Sequence, residues 1–172
     1  MAKRKILTGS APELHQVCAP VVTITPKIQE LLDDMVETMR DAEGVGLAGP
    51  QVGVLRRLIV VETEPGQVYK LINPVITASS GEQEGNEGCL SLPGESGWVK
   101  RPMNVTVTGL NEKGEEVIVE ATEFLARALC HEIDHLNGIL YSDKADYMNE
   151  PAEKKSEKMS PAAYRRFKRE HR

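Results

Sequence analysis

The five residues His131-Glu132-Ile133-Asp134-His135 constrain this chain more than any other stretch. The surrounding run 124–136 carries Phe124, Ala128, Leu129, Ile133 and Leu136 as apolar faces, which predicts a helix and makes it the central helix of the domain. On a helix, positions i and i+4 lie about 40° apart in azimuth and about 6 Å apart along the axis, so both imidazoles reach one cation. The pentapeptide therefore supplies two ligands of a metal site.

Two imidazoles do not make a catalytic site, because such sites usually hold three protein ligands and keep one position for water or substrate. The longer pattern His-Glu-x-x-His-x-x-Gly-x-x-His continues here through Gly138 but places Tyr141 where the last His would stand. His15 and His171 lie near the ends of the sequence, and only 37 residues follow His135. Cysteine is the remaining candidate. Cys130 adjoins His131 but points about 120° away from the midpoint of the two His. Cys18 has no polar or glycine context, whereas Cys89 sits in Glu87-Gly88-Cys89-Leu90-Ser91-Leu92-Pro93-Gly94, where backbone can approach a metal or ligand closely. Helical geometry does not choose between Glu132 and Asp134, which lie about 80° to either side of the ligand midpoint. The known mechanics of the pentapeptide favour Glu132 as the proton carrier, leaving Asp134 a supporting carboxylate paired with Arg101.

Three segments taken together resemble the signature motifs of peptide deformylases: Gly44-Val45-Gly46-Leu47-Ala48-Gly49-Pro50-Gln51-Val52-Gly53, Glu87-Gly88-Cys89-Leu90-Ser91, and the run His131 through Gly138. They stand in that family's order and at its spacing, and the resemblance spans residues from about 7 to 146. The chain departs from the family at Gly49, where Ala is more usual, and at Glu95-Ser96-Gly97-Trp98, where some members carry an arginine. The resemblance implies one divalent metal held by Cys89, His131 and His135, with Fe(II) the working ion, while one thiolate and two imidazoles would also accept Zn, Ni or Co in purified protein. It implies that Glu132 carries the proton, that the Gln51 amide and the Leu90 backbone N–H face the oxyanion, and that Gly46 contacts the peptide. Val45, Phe124 and Ala128 are expected to line an apolar pocket for a methionine side chain. The implied reaction removes the formyl group from the N-terminal methionine of new polypeptides and releases formate. A zinc endopeptidase would share the pentapeptide but lacks its usual third ligand here, and a structural metal site would need a fourth ligand and would leave Glu132 without use.

At 172 residues and 40% hydrophobic content, the sequence predicts one catalytic domain over residues 1–153. No run approaches 18 apolar residues and no hydrophobic stretch opens the chain, which points to the bacterial cytosol, or an organelle if a transit peptide has been removed, with no membrane partner and no specific DNA. Three cysteines fit a reducing compartment. Net charge is −5, yet residues 154–172 hold eight Lys or Arg against two Glu, a net of +6 that leaves −11 on residues 1–153. This basic tail is a separate electrostatic object. Ser160-Pro161 reads as a cap and first-turn pair for a short helix over 161–170, and attraction of basic residues to RNA makes the ribosome an expected partner beside formyl-methionyl nascent peptides.

In chain order, residues 6–19 read as irregular, and Thr25-Pro26 opens a helix over 26–42. Gly44, Gly46, Gly49, Pro50 and Gly53 then read as a glycine-rich loop. Short Val/Ile-rich runs at 58–62, 68–72, 74–77, 99–101, 104–110 and 115–120 predict strands, with a hairpin through Asn111-Glu112-Lys113-Gly114. Thr122 is the expected cap of the metal-bearing helix, and Asn137-Gly138 its left-handed end. Sequential strands with turn-sized connections imply an α+β domain of small antiparallel sheets around the central helix.

Overall fold

A computed structural model describes residues 2–149. The α+β architecture expected from the strand spacing is present. Helix α1 (Pro26–Asp41) starts as expected: Pro26 fills the first turn and Thr25 Oγ1 accepts a hydrogen bond from Ile28 N. The strands are β1 (Gly46–Ala48), β2 (Leu58–Val61), β3 (Tyr69–Ser80), β4 (Gln83–Cys89), β5 (Leu92–Arg101), β6 (Asn104–Leu110), β7 (Glu116–Thr122) and β8 (Tyr147–Asn149). The long helix α2 (Glu123–Leu136) follows β7, and the short α3 (Tyr141–Lys144) precedes β8. All strand pairs are antiparallel, in one sheet ordered β1-β2-β3-β6-β7 and another ordered β4-β5-β8.

The larger sheet is covered on both faces at its β1–β2 end, by α2 on one side and α1 on the other. Alternation along β2 divides its side chains, so that Ile59 and Val61 join Leu129, Ile133 and Leu136 of α2, while Leu58 and Val60 join Leu32, Met35 and Met39 of α1. All four residues of β2 are fully buried, which explains why this strand reads as a continuous apolar run. The same packing fixes the azimuth of α2: its apolar stripe faces the sheet, and the His131 side turns toward β4 and β5. Arg57 closes the far end of that helix, donating to Leu136 O at 3.0 Å and Asn137 Oδ1 at 3.1 Å.

Several local expectations are corrected. The segment read as a glycine loop contains β1, paired with β2, and a 3-10 turn over Gly49–Val52; its glycines serve close packing more than flexibility. At Gly49 a Cβ would stand 2.7 Å from both Val54 O and Arg56 O, so the backbone of 54–56 approaches more closely than Ala would allow. The runs 68–72 and 74–77 form one strand, β3, kinked where Asn73 adopts a positive φ of 53°. Asn73 tolerates this because its side chain bonds the chain at Val21, accepting from N at 2.8 Å and donating to O at 2.9 Å. The run 99–101 is the end of the longer β5, and β4 and β8 carried too few β-branched residues to be recognised. Thr122 precedes α2 but its hydroxyl donates to Asn104 Oδ1 instead of capping. At the other end only Gly138 is left-handed; Asn137 has φ −105°. The 6–19 segment is irregular apart from a 3-10 turn over Pro12–His15. It braces two motif segments, through Leu7 N to Gln51 O at 2.7 Å and Gly9 N to Ser91 O at 2.8 Å.

The basic tail and its expected helix over 161–170 lie outside the described residues. Among the described residues no helix is long and apolar enough to cross a membrane.

Candidate active site

Helix α2 brings His131 and His135 together as the i, i+4 spacing requires, with ring centroids 5.1 Å apart. Cys89 arrives from the end of β4, where a register irregularity between Glu87 and Cys89 turns the strand toward the helix. Its Sγ lies 3.3 Å from His135 Nε2, and one ligand atom from each of Cys89, His131 and His135 falls within 4.8 Å of the others. A tetrahedral zinc with bonds of about 2.3 Å to sulfur and about 2.0 Å to nitrogen would hold such atoms about 3.5 Å apart, so the donor set and the spacing both fit one divalent cation. Cys130 is excluded as anticipated: it lies in the apolar core, where burial pushes its thiol up to about 11. Cys18 is buried there too.

The orientation of His131 is set by a carboxylate that sequence reasoning did not single out. Glu87 is buried, and its Oε1 accepts from His131 Nδ1 at 2.8 Å, which leaves Nε2 for a metal. Arg101 donates to both Glu87 oxygens at 2.8 Å, and Arg127 donates to Oε2 at 2.8 Å. Burial works against the Glu87 charge, but Arg101 and His131 outweigh it and hold the carboxyl at about 2. The expected pairing of Asp134 with Arg101 is present, and Lys144 adds a second partner to Asp134. Tyr141, which replaces the third His of the longer pattern, stacks on the His131 ring at 5.8 Å. The one signal for Glu87 in the sequence was its place two residues before Cys89 in the motif segment Glu87–Ser91. The arginine partners come from other elements and left no local trace.

Glu132 projects into the space beside these ligands. It is 4% exposed, and its Oε1 has no hydrogen-bond partner among the described residues. Burial pushes its carboxyl up to about 7, against the pull of His131. Burial likewise opposes charge on His131, but Glu132, Cys89 and Glu87 outweigh it and raise that ring to about 10; a cation would take the place of the proton. His135 is pushed well below its ordinary range by burial and then by His131. Gly46 on β1 makes room for Glu132, because a Cβ there would stand 2.8 Å from Glu132 Cδ and would overlap Oε2.

Gln51, 1% exposed, is oriented by its own turn. Its Oε1 accepts from Ala48 N at 2.9 Å, which points its Nε2 at Ser91 Oγ, 3.1 Å away, and at Cys89 Sγ, 3.4 Å away. A cleft of about 560 Å³ opens above the ligands and is lined by Val45, Gly46, Leu90, Phe124 and Ala128 among others, so the structure brings together every residue the sequence nominated for substrate. Val45 and Phe124 are exposed at its walls, 38% and 52%. Ser96, where an arginine stands in some family members, instead accepts from Asn149 Nδ2 and ties β5 to β8.

The family model for polypeptide deformylase matches residues 3–151. A peptide deformylase of Alkaliphilus metalliredigens is 56% identical over 144 residues, which cover 84% of this chain and 97% of that protein. The crystal structure of peptide deformylase from Ehrlichia chaffeensis in complex with actinonin is similar at a TM-score of 0.83 and 37% identity, covering 85% of this chain and 90% of that one. The Thermotoga maritima peptide deformylase structure is similar at a TM-score of 0.82 and 32% identity, covering 86% and 100% respectively. With the family model, the sequence relatives and the fold all matching over most of its length, the chain belongs to the polypeptide deformylase family.

Proposed function

We propose that this chain is a metal-dependent hydrolase that removes the N-formyl group from the N-terminal methionine of newly synthesised polypeptides, releasing formate and a free amine. The observation that carries the reading is the buried Glu132 carboxylate, whose Oε1 has no hydrogen-bond partner among the described residues, beside the Cys89, His131 and His135 cluster at an open cleft. Cys89 Sγ and one ring nitrogen each of His131 and His135 would hold a divalent cation, which when bound would supply the Lewis acidity that acidifies water and polarises the formyl carbonyl. Glu132 takes the proton from the attacking water and returns it to the departing amine nitrogen. Gln51 Nε2 and the Leu90 N–H donate to the oxygen that gains negative charge; both belong to segments held rigid by neighbouring backbone bonds, so little reorganisation is needed. Val45, Phe124 and Ala128 surround the methionine side chain, and Gly46 lies against the peptide backbone.

The test is formate release from a formyl-methionyl peptide. Wild-type protein should release it, Glu132→Ala should lose nearly all activity, and an N-acetylated peptide with an internal cleavable bond should stay intact. Cleavage of the second peptide but not the first would establish the zinc endopeptidase reading instead.

Fe(II) is the proposed working ion, supported by the family resemblance, while the thiolate and two imidazoles also suit Zn, Ni or Co. Anaerobic purification, metal analysis and reconstitution with each ion decide this, and equal activity with zinc and iron would remove the preference for iron. The reading places residues 1–153 in one catalytic domain acting in the cytosol, with the basic tail 154–172 drawing it to ribosomal RNA. Deleting residues 154–172 should leave hydrolysis of a short peptide nearly unchanged and weaken ribosome co-sedimentation most at low salt; equal co-sedimentation would refute the role of the tail.

A further inference from the structure

We propose that Arg127 is a positioning residue for the metal ligand His131, acting through Glu87; the inference rests on Cys89, His131 and His135 being a metal site. Arg127 stands one helical turn before His131 on α2 and contributes to the cleft floor, yet its side chain is only 8% exposed. The guanidinium reaches the β4–β5 hairpin. There Nη1 donates to Glu87 Oε2 at 2.8 Å, to Val99 O at 3.3 Å and to Gly85 O at 3.5 Å, and Nη2 donates to Gln83 Oε1 at 3.4 Å.

Glu87 Oε1, the other oxygen of the same planar group, accepts from His131 Nδ1 at 2.8 Å. Any rotation of the carboxylate therefore swings the acceptor that aims the His131 ring. Arg101 also holds this carboxylate, through both oxygens, but it comes from β5 and is shared with Asp134. Arg127 binds Oε2 from α2 itself, the helix that carries His131, and closes a loop of short contacts running Arg127, Glu87, His131 and back along one turn of backbone. A second observation shows that the head group has a fixed place. Gly85 is not among the left-handed glycines, yet a Cβ there would stand 2.9 Å from Arg127 Nη2, so β4 leaves room for the guanidinium.

Zinc affinity of the full chain, measured by chelator competition, is the primary readout, with unfolding of the metal-free protein beside it. Arg127→Met should weaken zinc binding about 10- to 100-fold, the range typical for loss of an outer partner of a metal ligand. Arg127→Lys should fall between, because an ammonium cannot span Glu87 and the two carbonyls in the guanidinium plane. Gly85→Ala, which presses on the head group without removing charge, should weaken zinc in the same direction. In a Glu87→Gln background, Arg127→Met should add little further loss, because the two act in series. Unchanged zinc affinity in folded Arg127→Lys and Gly85→Ala, even with lowered melting temperature, would make Arg127 a structural ion-pair residue and overturn the proposal, as would fully additive losses in the double variant. If wild-type protein itself failed to bind one zinc per chain, the metal-site reading would fall; tight wild-type binding with equally tight variants would sink only the role of Arg127.

Discussion

Replacing Gly46 by Ala tests the placement of Glu132 through one added methyl group, whose nearest neighbours are all atoms of the Glu132 side chain. Gly46 is not in the left-handed region, so the backbone accepts Ala without strain and the only cost is steric. The new Cβ would stand 2.8 Å from Glu132 Cδ and 2.9 Å from Cγ, while ordinary contact begins near 3.4 Å. The carboxyl carbon must therefore retreat by at least about 0.6 Å, and its Oε2, which the Cβ overlaps, by more. A general base displaced by about 1 Å loses about 10²-fold in rate, equivalent to about 2.7 kcal/mol of transition-state stabilisation. Glu132 ends in a flexible side chain bordering an open cleft, so it can yield without disturbing the core, and stability should change by less than about 1 kcal/mol. The assay is formate release with matched metal content, plus thermal unfolding. The variant should retain metal and folding and lose about 10²-fold in kcat/KM. Activity within threefold of wild type would show that the contact between Gly46 and Glu132 does not set the position of the base.

Glu87 contributes to acid stability: its carboxyl is held at about 2 against an ordinary 4.5, so its stabilisation is complete above pH 4.5 and is lost as pH falls toward 2. The shift is worth about 3 kcal/mol, and metal-free Glu87→Gln should show correspondingly less loss of urea stability from pH 4.5 to 2.5; parallel losses in both proteins would contradict it. Gln51→Ala should lower kcat about 10²- to 10³-fold if its amide faces the oxyanion, with a smaller change in KM; a loss confined to KM would make it a binding residue. Leu32→Ala on α1, fully buried against the larger sheet, should cost 2–5 kcal/mol in chemical unfolding without altering metal content. A loss of metal with that substitution would mean that the two faces of the sheet are less independent than their packing implies.

The ligand pair was legible because an α-helix converts a spacing of four residues into a shared face with no help from the rest of the chain. The same locality made α1, its Thr25 cap and the hairpin around 111–114 readable, and it excluded Cys130 from the site by angle alone. Elimination among the three cysteines and its glycine-framed context pointed to Cys89, and the motif resemblance added Gln51 and the cleft residues, which no local period connects. Tertiary structure decided the rest. Strands β4 and β8 were invisible because Gly, Glu and Asn carry little strand preference of their own; pairing with β5 makes them strands. Thr122 had the residue type of a cap, yet Asn104 on the paired strand claimed its hydroxyl, a competition between neighbours that are distant in sequence. The arginines around Glu87 come from β5 and α2, and they converge only after α2 has packed its apolar stripe on the sheet and turned His131 toward the β4–β5 hairpin. Residue type and helical period named the ligands, whereas the tautomer of His131 and the room for Glu132 depend on contacts that exist only once the layers have closed.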